Sequence, residues 1–157
     1  MLEQVGYLIK ELWITFGVAM VPILELRGAI PVGIALGLPP SVACVTAIVG
    51  NLVPVPIVIL LYRYIIQWLY HIPGLGDAIR KIEKRAHLKG RIVKKYRLFG
   101  LILLVAIPLP GTGAWTGALA ASLLDIRLRN ALPGILIGLI IAGTIITTLT
   151  VGVAAII

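Results

Sequence analysis

The sequence predicts an all-α integral membrane protein, and three observations lead to that prediction. Of the 157 residues, 60% are hydrophobic, and the mean hydropathy is +1.09. The uncharged stretches at 41–62, 98–124 and 130–157 each exceed the roughly 18 residues that indicate a membrane-spanning helix. Nine of the fourteen Lys and Arg residues fall between Arg80 and Arg97, which is typical of a cytoplasmic segment that faces anionic lipid.

The first apolar block, at about 12–38, predicts a re-entrant helical hairpin rather than a simple span. Pro22, Gly28 and Pro31 crowd its centre, where proline removes a backbone donor and glycine favours the conformations that a reversal needs. The ten residues from Leu12 to Pro22 make about 15 Å of helix, which is half of a hydrocarbon core of roughly 30 Å. We therefore expect the chain to turn at mid-depth and to leave on the side where it entered.

A spanning helix is predicted next, at about 41–70, and a basic connector follows at about 71–97. Asn51, Pro54 and Pro56 interrupt the helix. Asn51 either donates into a central cavity or binds a neighbouring helix by hydrogen bonding, which is the commoner role. We expect the connector to form an amphipathic helix, and its basic residues predict that it lies on the cytoplasmic side.

The block at 98–124 predicts a second re-entrant hairpin, and a second spanning helix follows at about 129–155. The sequence IPLPGTGAWTG begins nine residues after Leu98 and indicates a break at mid-depth. If the block crossed the membrane, Arg127 and Arg129 would lie opposite the basic connector, against the positive-inside rule. A hairpin keeps both arginines on the side of the connector.

Together these elements predict a single membrane domain over 1–157, built from two inverted repeats. Repeat one covers about 12–70, and repeat two covers about 98–157. Because each repeat crosses the membrane once, the second is inverted relative to the first, as in secondary transporters whose sites form at the midplane. A weak internal similarity, between GAIPVG at 28–33 and GAWTG at 113–117, agrees with this arrangement.

Glu25 and Arg27 lie in the first hairpin, where a charge is costly. The thirteen residues before Glu25 and the thirty-five residues after Arg27 carry no charge. A charge at the bilayer centre costs about 3 kcal/mol, so the pair is expected to face protein or a water-filled cavity. Burial favours the neutral form of a carboxyl group, whereas a nearby arginine favours its ionised form, so Glu25 is a candidate proton carrier. The alternative is a static ion pair that locks the hairpin tip.

The second hairpin supplies the other half of the predicted substrate and proton site. A helix that starts after a break presents free N–H groups and a positive dipole end, which suit an anion, as does the Arg27 guanidinium. The alternative is that the prolines and glycines only make the turn. The predicted site comprises Glu25, Arg27, Gly28, Pro31, Asn51, Pro108, Pro110, Gly111, Thr112, Gly113 and Trp115.

Several classes of chemistry have no motif in this sequence. His71 and His87 have no Cys or carboxylate pattern around them, so we expect no metal site. There is no P-loop, GxSxG or HExxH motif, so we expect neither an enzyme nor a cofactor. Membrane lipid explains the basic cluster better than nucleic acid does, and no nucleic-acid partner is expected.

Two segments resemble the signatures of the small multidrug export protein family: VPILELRGAIPVGIALG at 21–37 and KYRLFGLILLVAIPLPGTGAWTGALAASLL at 95–124. That family is similar to the DedA superfamily, so the resemblance implies paired re-entrant hairpins and spanning helices. Some DedA relatives are implicated in proton-coupled movement of polyprenyl phosphate or phospholipid. On this resemblance, Glu25 corresponds to the acidic residue of the first DedA hairpin. The second DedA hairpin typically carries arginines near its PG turn, but PLPGTGAW carries none, and Arg27 is the candidate substitute.

These observations predict a proton-linked secondary transporter or lipid flippase in the plasma membrane. Its substrate would be a small molecule or a lipid: a phosphate or carboxylate lipid fits Arg27, and a lipophilic cation fits Glu25. The competing hypothesis is a structural or accessory membrane protein in which the pair only stabilises the tip. Small size and glycine pairs at small-xxx-small spacing suggest a homo-oligomer, such as a homodimer.

Cysteine accessibility from each side of the membrane tests the predicted topology. With Cys44 removed, single cysteines at His87 and Asn130 should react with a membrane-impermeant reagent from the cytoplasmic side. His87 precedes the second hairpin and Asn130 follows it, and a re-entrant hairpin keeps both on the same side of the membrane. Cysteines at Leu2 and Pro40 should react from the other side. Labelling of His87 and Asn130 from opposite sides would instead make the second hairpin a true span.

Overall fold

The structure, a computed structural model, describes residues 2–69, 96–109 and 111–156. These residues form helices joined by short turns and contain no β-strand, which confirms the all-α prediction. The predicted amphipathic connector, at about 71–97, lies almost entirely outside the described residues. In the described ranges the helices are α1 Leu2–Met20, α2 Glu25–Ala35, α3 Pro40–Leu52, α4 Pro54–Leu69, α5 Arg97–Ala106, α6 Ala114–Leu123 and α7 Leu128–Ala154.

A short break at 21–24 separates α1 from α2, and the two helices pack against each other as a helical hairpin. Pro22 explains where α1 ends, because a proline disfavours the helical conformation in the residue that precedes it. The Glu25 amide donates to the Val21 carbonyl at 3.0 Å, so the chain makes one turn between the helices. Gly28 and Pro31 lie within α2 rather than in this turn, so the break is narrower than the sequence indicated.

The spanning helix predicted at 41–70 consists of two consecutive helices, α3 and α4, that meet at Val53. Pro40 begins α3, at a position where proline is favoured because no intrahelical donor is lost. Pro54 begins α4 and has no N–H to donate to the Gly50 carbonyl, which explains the division. The stretch Pro40–Tyr62 still has the length, 23 residues, and the mean hydropathy, 2.4, of a membrane span.

The second hairpin follows the same plan with a longer break, at 107–113, between α5 and α6. Gly111 has a φ of +84° in this break, a conformation that favours glycine. The Thr112 hydroxyl accepts a hydrogen bond from the Leu109 amide at 3.1 Å, and the Thr112 amide donates to the Leu109 carbonyl at 3.1 Å. The loop therefore closes on itself before α6 begins.

Both hairpins end in a Schellman motif, the turn in which two amides beyond a helix bond back to its last carbonyls. Gly37 takes the left-handed position after α2, with a φ of +100°. Asp125 takes it after α6, with a φ of +52°, and aspartate is one of the non-glycine residues that tolerate this conformation. In each case the next helix starts three residues further on, at Pro40 and at Leu128.

Two helical stretches are long and apolar enough to cross a membrane: Pro40–Tyr62 and α7, whose mean hydropathies are 2.4 and 2.2. Only 33% and 39% of their most apolar windows are buried, so most of those residues are not enclosed in a protein core. Large apolar side chains such as Ile57 and Leu149 are 60% exposed, and such surfaces indicate contact with lipid rather than with water. The chain is a membrane protein, as predicted.

Glycines allow α3 and α7 to approach the first helix of each hairpin closely. A Cβ at Gly50 in α3 would lie 2.6 Å from the Phe16 carbonyl oxygen in α1. A Cβ at Gly138 in α7 would lie 2.7 Å from the Val105 Cβ in α5. Close backbone approach is how small residues stabilise helix pairs in lipid, where burying apolar surface gives little driving force.

We expect Gly138→Ala to lower the melting temperature in detergent, because overpacking of this kind costs about 1–3 kcal/mol. The matched control is Gly152→Ala in the same helix, where an added Cβ meets nothing within 4 Å. The control should be neutral or stabilising by up to about 1 kcal/mol, since alanine is the better helix former. Equal effects of the two substitutions would contradict the close α5–α7 contact.

Candidate functional site

The breaks of the two hairpins meet, and Glu25 lies at their junction. Its carboxylate is buried and accepts a hydrogen bond from the Trp115 backbone amide at 3.3 Å. Trp115 is the second residue of α6, and the N-cap of that helix, Gly113, provides no side-chain cap. Glu25 therefore caps α6 from the other hairpin, where a carboxylate also interacts favourably with the positive end of the helix dipole.

Gly113 makes room for this carboxylate. A Cβ at Gly113 would overlap the Glu25 carboxylate oxygens, so no other residue type fits without a shift. The need for glycine here comes from this close approach and not from the backbone angles of Gly113, which are extended. The sequence placed Gly113 in the predicted site, with turn formation as the alternative, and the structure shows that Gly113 contacts the Glu25 carboxylate.

Glu25 itself has an unusual backbone, with a φ of +46° at the first residue of α2. The left-handed conformation costs a residue with a side chain about 1–2 kcal/mol. Such residues persist where the surroundings fix them, and they cluster at functional sites. The contacts of the carboxylate with the second hairpin provide that constraint.

Arg27 also bonds to the tip of the second hairpin, but its partner is Thr112 and not Trp115. Its guanidinium donates to the Thr112 carbonyl and, at 2.9 Å, to the Thr112 hydroxyl. At a spacing of two residues, Glu25 and Arg27 do not share a helix face. The geometry therefore gives each charge its own partner on the second hairpin.

The Trp115 side chain, in the second hairpin, bonds to the backbone of the first hairpin. Its indole Nε1 donates to the carbonyl of Met20 at 3.1 Å. Met20 is the last residue of α1, and the last carbonyls of a helix have no intrahelical partner. The second hairpin thus satisfies a backbone group that the first break leaves free, while the first hairpin caps the helix that follows the second break.

A small cavity of about 10 Å³ lies between the tips. Glu25, Arg27, Asn51, Thr112 and Gly113 line its polar side, so the structure brings these five predicted residues together. The apolar wall comes from Leu26 on α2, Val105 on α5, and Leu139, Ala142 and Ile146 on α7.

The other predicted site residues lie outside this cavity lining. Gly28 faces Leu24 of its own hairpin, and Pro31 lies inside α2, where it has no N–H for the Arg27 carbonyl. Pro108 borders an apolar groove between α5 and α7, and the carbonyl of Gly111 accepts from the Thr116 hydroxyl. Pro110 lies outside the described residues. Within the described ranges, no cluster of three His, Cys, Asp or Glu residues is present to hold a metal ion.

Sequence reasoning missed the Met20 carbonyl and the wall formed by Leu139, Ala142 and Ile146. A backbone carbonyl carries no signal in the sequence. The wall residues are indistinguishable, by residue type alone, from the lipid-facing residues of the same apolar helix. Only the packing of α7 against α2 and α3 identifies them.

The fold and the site define a helical membrane protein whose two broken hairpins meet at a pair of buried or half-buried charges. The chain belongs to the family described as "Putative small multi-drug export protein", whose family model matches residues 25–145, which is most of the chain. The resemblance of the two tip segments to that family is thereby confirmed. A search of curated proteins and a search of solved structures each found no significant match.

Gly113→Ala tests the junction directly. The added Cβ should displace the Glu25 carboxylate and remove the cap of α6, so we expect a loss of about 1–3 kcal/mol, measured as a lower melting temperature in detergent. Gly100→Ala in α5 is the control, because an added Cβ meets nothing within 4 Å there. An unchanged melting temperature in Gly113→Ala would contradict the close approach.

Proposed function

We propose that this protein is a secondary transporter that moves an amphiphilic substrate, with its substrate site between the two hairpin tips. The observation that carries the proposal is that Glu25 and Arg27 lie where the breaks of the two hairpins meet. A charge inside a membrane protein marks a substrate or proton pathway more often than a structural element. Membership of a family described as exporting drugs supports the same class of activity.

The two halves follow one plan, which supports inverted repeats. Gly37 and Asp125 lie 88 residues apart, and each takes the left-handed position that ends its hairpin. Gly50 and Gly138 also lie 88 residues apart, and each packs on the first helix of its own half. The contact of α1 with α3 likewise corresponds to the contact of α5 with α7.

Equivalent positions of the two halves also meet at the cavity. Glu25 lies against Gly113, which is 88 residues later, and Asn51 shares the cavity with Leu139, also 88 residues later. Equivalent positions meet in this way near a twofold axis. We propose that this axis lies in the membrane plane, that both hairpins are re-entrant, and that the basic connector faces the cytoplasm at the plasma membrane.

Transport then requires the tips to separate. A cavity of about 10 Å³ has room for no drug or lipid headgroup, so the described arrangement corresponds to a closed site. Opening toward one side would break the bonds of Glu25 to Trp115 and of Arg27 to Thr112. Protonation of Glu25 weakens its attraction to the α6 N-terminus, and this is the step through which a proton gradient would act.

The two charges define two substrate candidates. A lipophilic cation would pair with Glu25 once the carboxylate leaves α6. A phosphate or carboxylate lipid would pair with Arg27, whose planar fork suits such anions. In both cases the protein acts by binding and moving its substrate rather than by changing it chemically, and it needs no cofactor.

A structural or accessory role is the second candidate. It is favoured by the hydrogen bonds themselves, because the same contacts hold the two hairpins together. In that case Glu25→Gln lowers the melting temperature, and removal of Arg27 as well restores it if the two charges mainly balance each other.

Glu25→Gln separates the two candidates. The glutamine oxygen can still accept from the Trp115 amide, so we expect the variant to fold with a melting temperature close to that of the wild type. Because it carries no titratable charge, proton-driven uptake into proteoliposomes should fall at least tenfold. The substrates to be tested are tetraphenylphosphonium and a fluorescent phospholipid, each with and without a proton gradient.

The matched control is Glu11→Gln, the same change in α1 outside the junction, which should transport normally. A folded Glu25→Gln variant with full activity would remove Glu25 from the mechanism. If the wild-type protein moves neither probe, and Glu25→Gln changes only stability, the structural role is correct.

A further inference from the structure

Asn51 is a buried polar residue that the contacts described so far leave unexplained. Its side chain is 0% exposed, and neither Oδ1 nor Nδ2 has a hydrogen-bond partner among the described residues. An amide buried without partners is costly, and native structures rarely contain one unless a water molecule or an ion satisfies it. The sequence allowed a bond to a neighbouring helix, but the structure provides none for Asn51 within the described part of the chain.

The position of Asn51 indicates what its partner is. Asn51 lines the cavity of about 10 Å³ that also contacts Glu25 and Arg27. That volume is about the smallest that holds one water molecule, which also needs two to four polar partners. Asn51, Glu25 and Arg27, which line this one small cavity, each carry a polar side chain that can bond to water.

We propose that Asn51, Glu25 and Arg27 bind a single water molecule between the hairpin tips. Asn51 is a positioning residue in this site, because it holds the water against the Glu25 carboxylate. The proposal rests in part on the proposed transport function, in which this water exchanges a proton with Glu25. The water site itself, however, stands or fails independently of transport.

Two other occupants fit the site less well. A sodium ion prefers several oxygen ligands, but here Arg27 lines the same cavity, and its positive charge would repel a cation. The Thr112 hydroxyl is already engaged with Arg27 and with the backbone of its own loop. An anion would face the Glu25 carboxylate. A neutral molecule that both donates and accepts hydrogen bonds satisfies all three side chains at once.

A crystal structure in a lipidic phase, at a resolution that shows ordered water, tests the site directly. We expect one density peak within about 3.2 Å of both the Asn51 side chain and the Glu25 carboxylate. The absence of a peak, a direct bond from Asn51 to a protein group, or a peak with the coordination of a metal ion would each overturn the proposal.

The stability of Asn51→Leu gives a second, independent test, because the sign of its effect is diagnostic. Leucine has a similar size and no polar atoms. If water joins Asn51 to Glu25, the substitution leaves a buried water with two of its three protein partners, and we expect the melting temperature to fall by roughly 2–10 °C. If Asn51 has no partner, removal of its amide should raise the melting temperature, which would overturn the proposal.

Thr15→Val is the matched control for burying an apolar group in place of a polar one. Thr15 is also 0% exposed, but its hydroxyl bonds to the Glu11 carbonyl of its own helix, away from the tips. The effect of Asn51→Leu should also be smaller in a Glu25→Gln background if the water links the two residues, because a neutral amide binds water less strongly than a carboxylate, and full additivity would contradict that link. Loss of transport in Glu25→Gln with no coupling to Asn51 would refute the water while leaving the proposed function intact. Coupling between Asn51 and Glu25, together with full transport in Glu25→Gln, would support the water and refute the role of Glu25 in transport.

Discussion

A backbone break inside a membrane protein must find hydrogen-bond partners within the protein, since lipid offers none. In this protein each break finds its hydrogen-bond partners in the other hairpin. Glu25, at the end of the first break, caps α6, and the Trp115 indole binds the carbonyl that ends α1. Arg27 adds bonds to the Thr112 carbonyl and hydroxyl. Without these bonds, polar backbone groups at both hairpin tips would lack partners, so the rest of the structure depends on this reciprocal bonding.

The breaks were predictable because their causes are local. Proline ends a helix by its covalent structure, so Pro22 and the PLPGTG sequence located both breaks from the sequence. That Glu25 and Arg27 would face protein was also predictable, because an unpaired charge in an apolar stretch is costly to expose to lipid. The division of the spanning helix at Val53 follows from Pro54 in the same way.

The partners of these residues were not predictable, because they come from segments about 90 residues away. No rule of spacing assigns the Glu25 carboxylate to the Trp115 amide or the Arg27 guanidinium to Thr112. The role of Gly113 was equally hidden, because a turn-forming glycine and a glycine that admits a carboxylate are identical in sequence. The left-handed backbone of Glu25 runs against its residue type, and only tertiary contacts account for it.

The contact of Glu25 with Gly113 also limits how such a protein can arise. If two identical halves met at this junction, the same residue would stand on both sides of it. Two glutamates would bring like charges together inside the protein, and two glycines would leave both α6 and its counterpart α2 without a carboxylate. The junction therefore requires different residues at the equivalent positions: a glycine in one half makes room for the glutamate of the other half. A symmetric dimer of two identical half-length chains therefore cannot reproduce this junction.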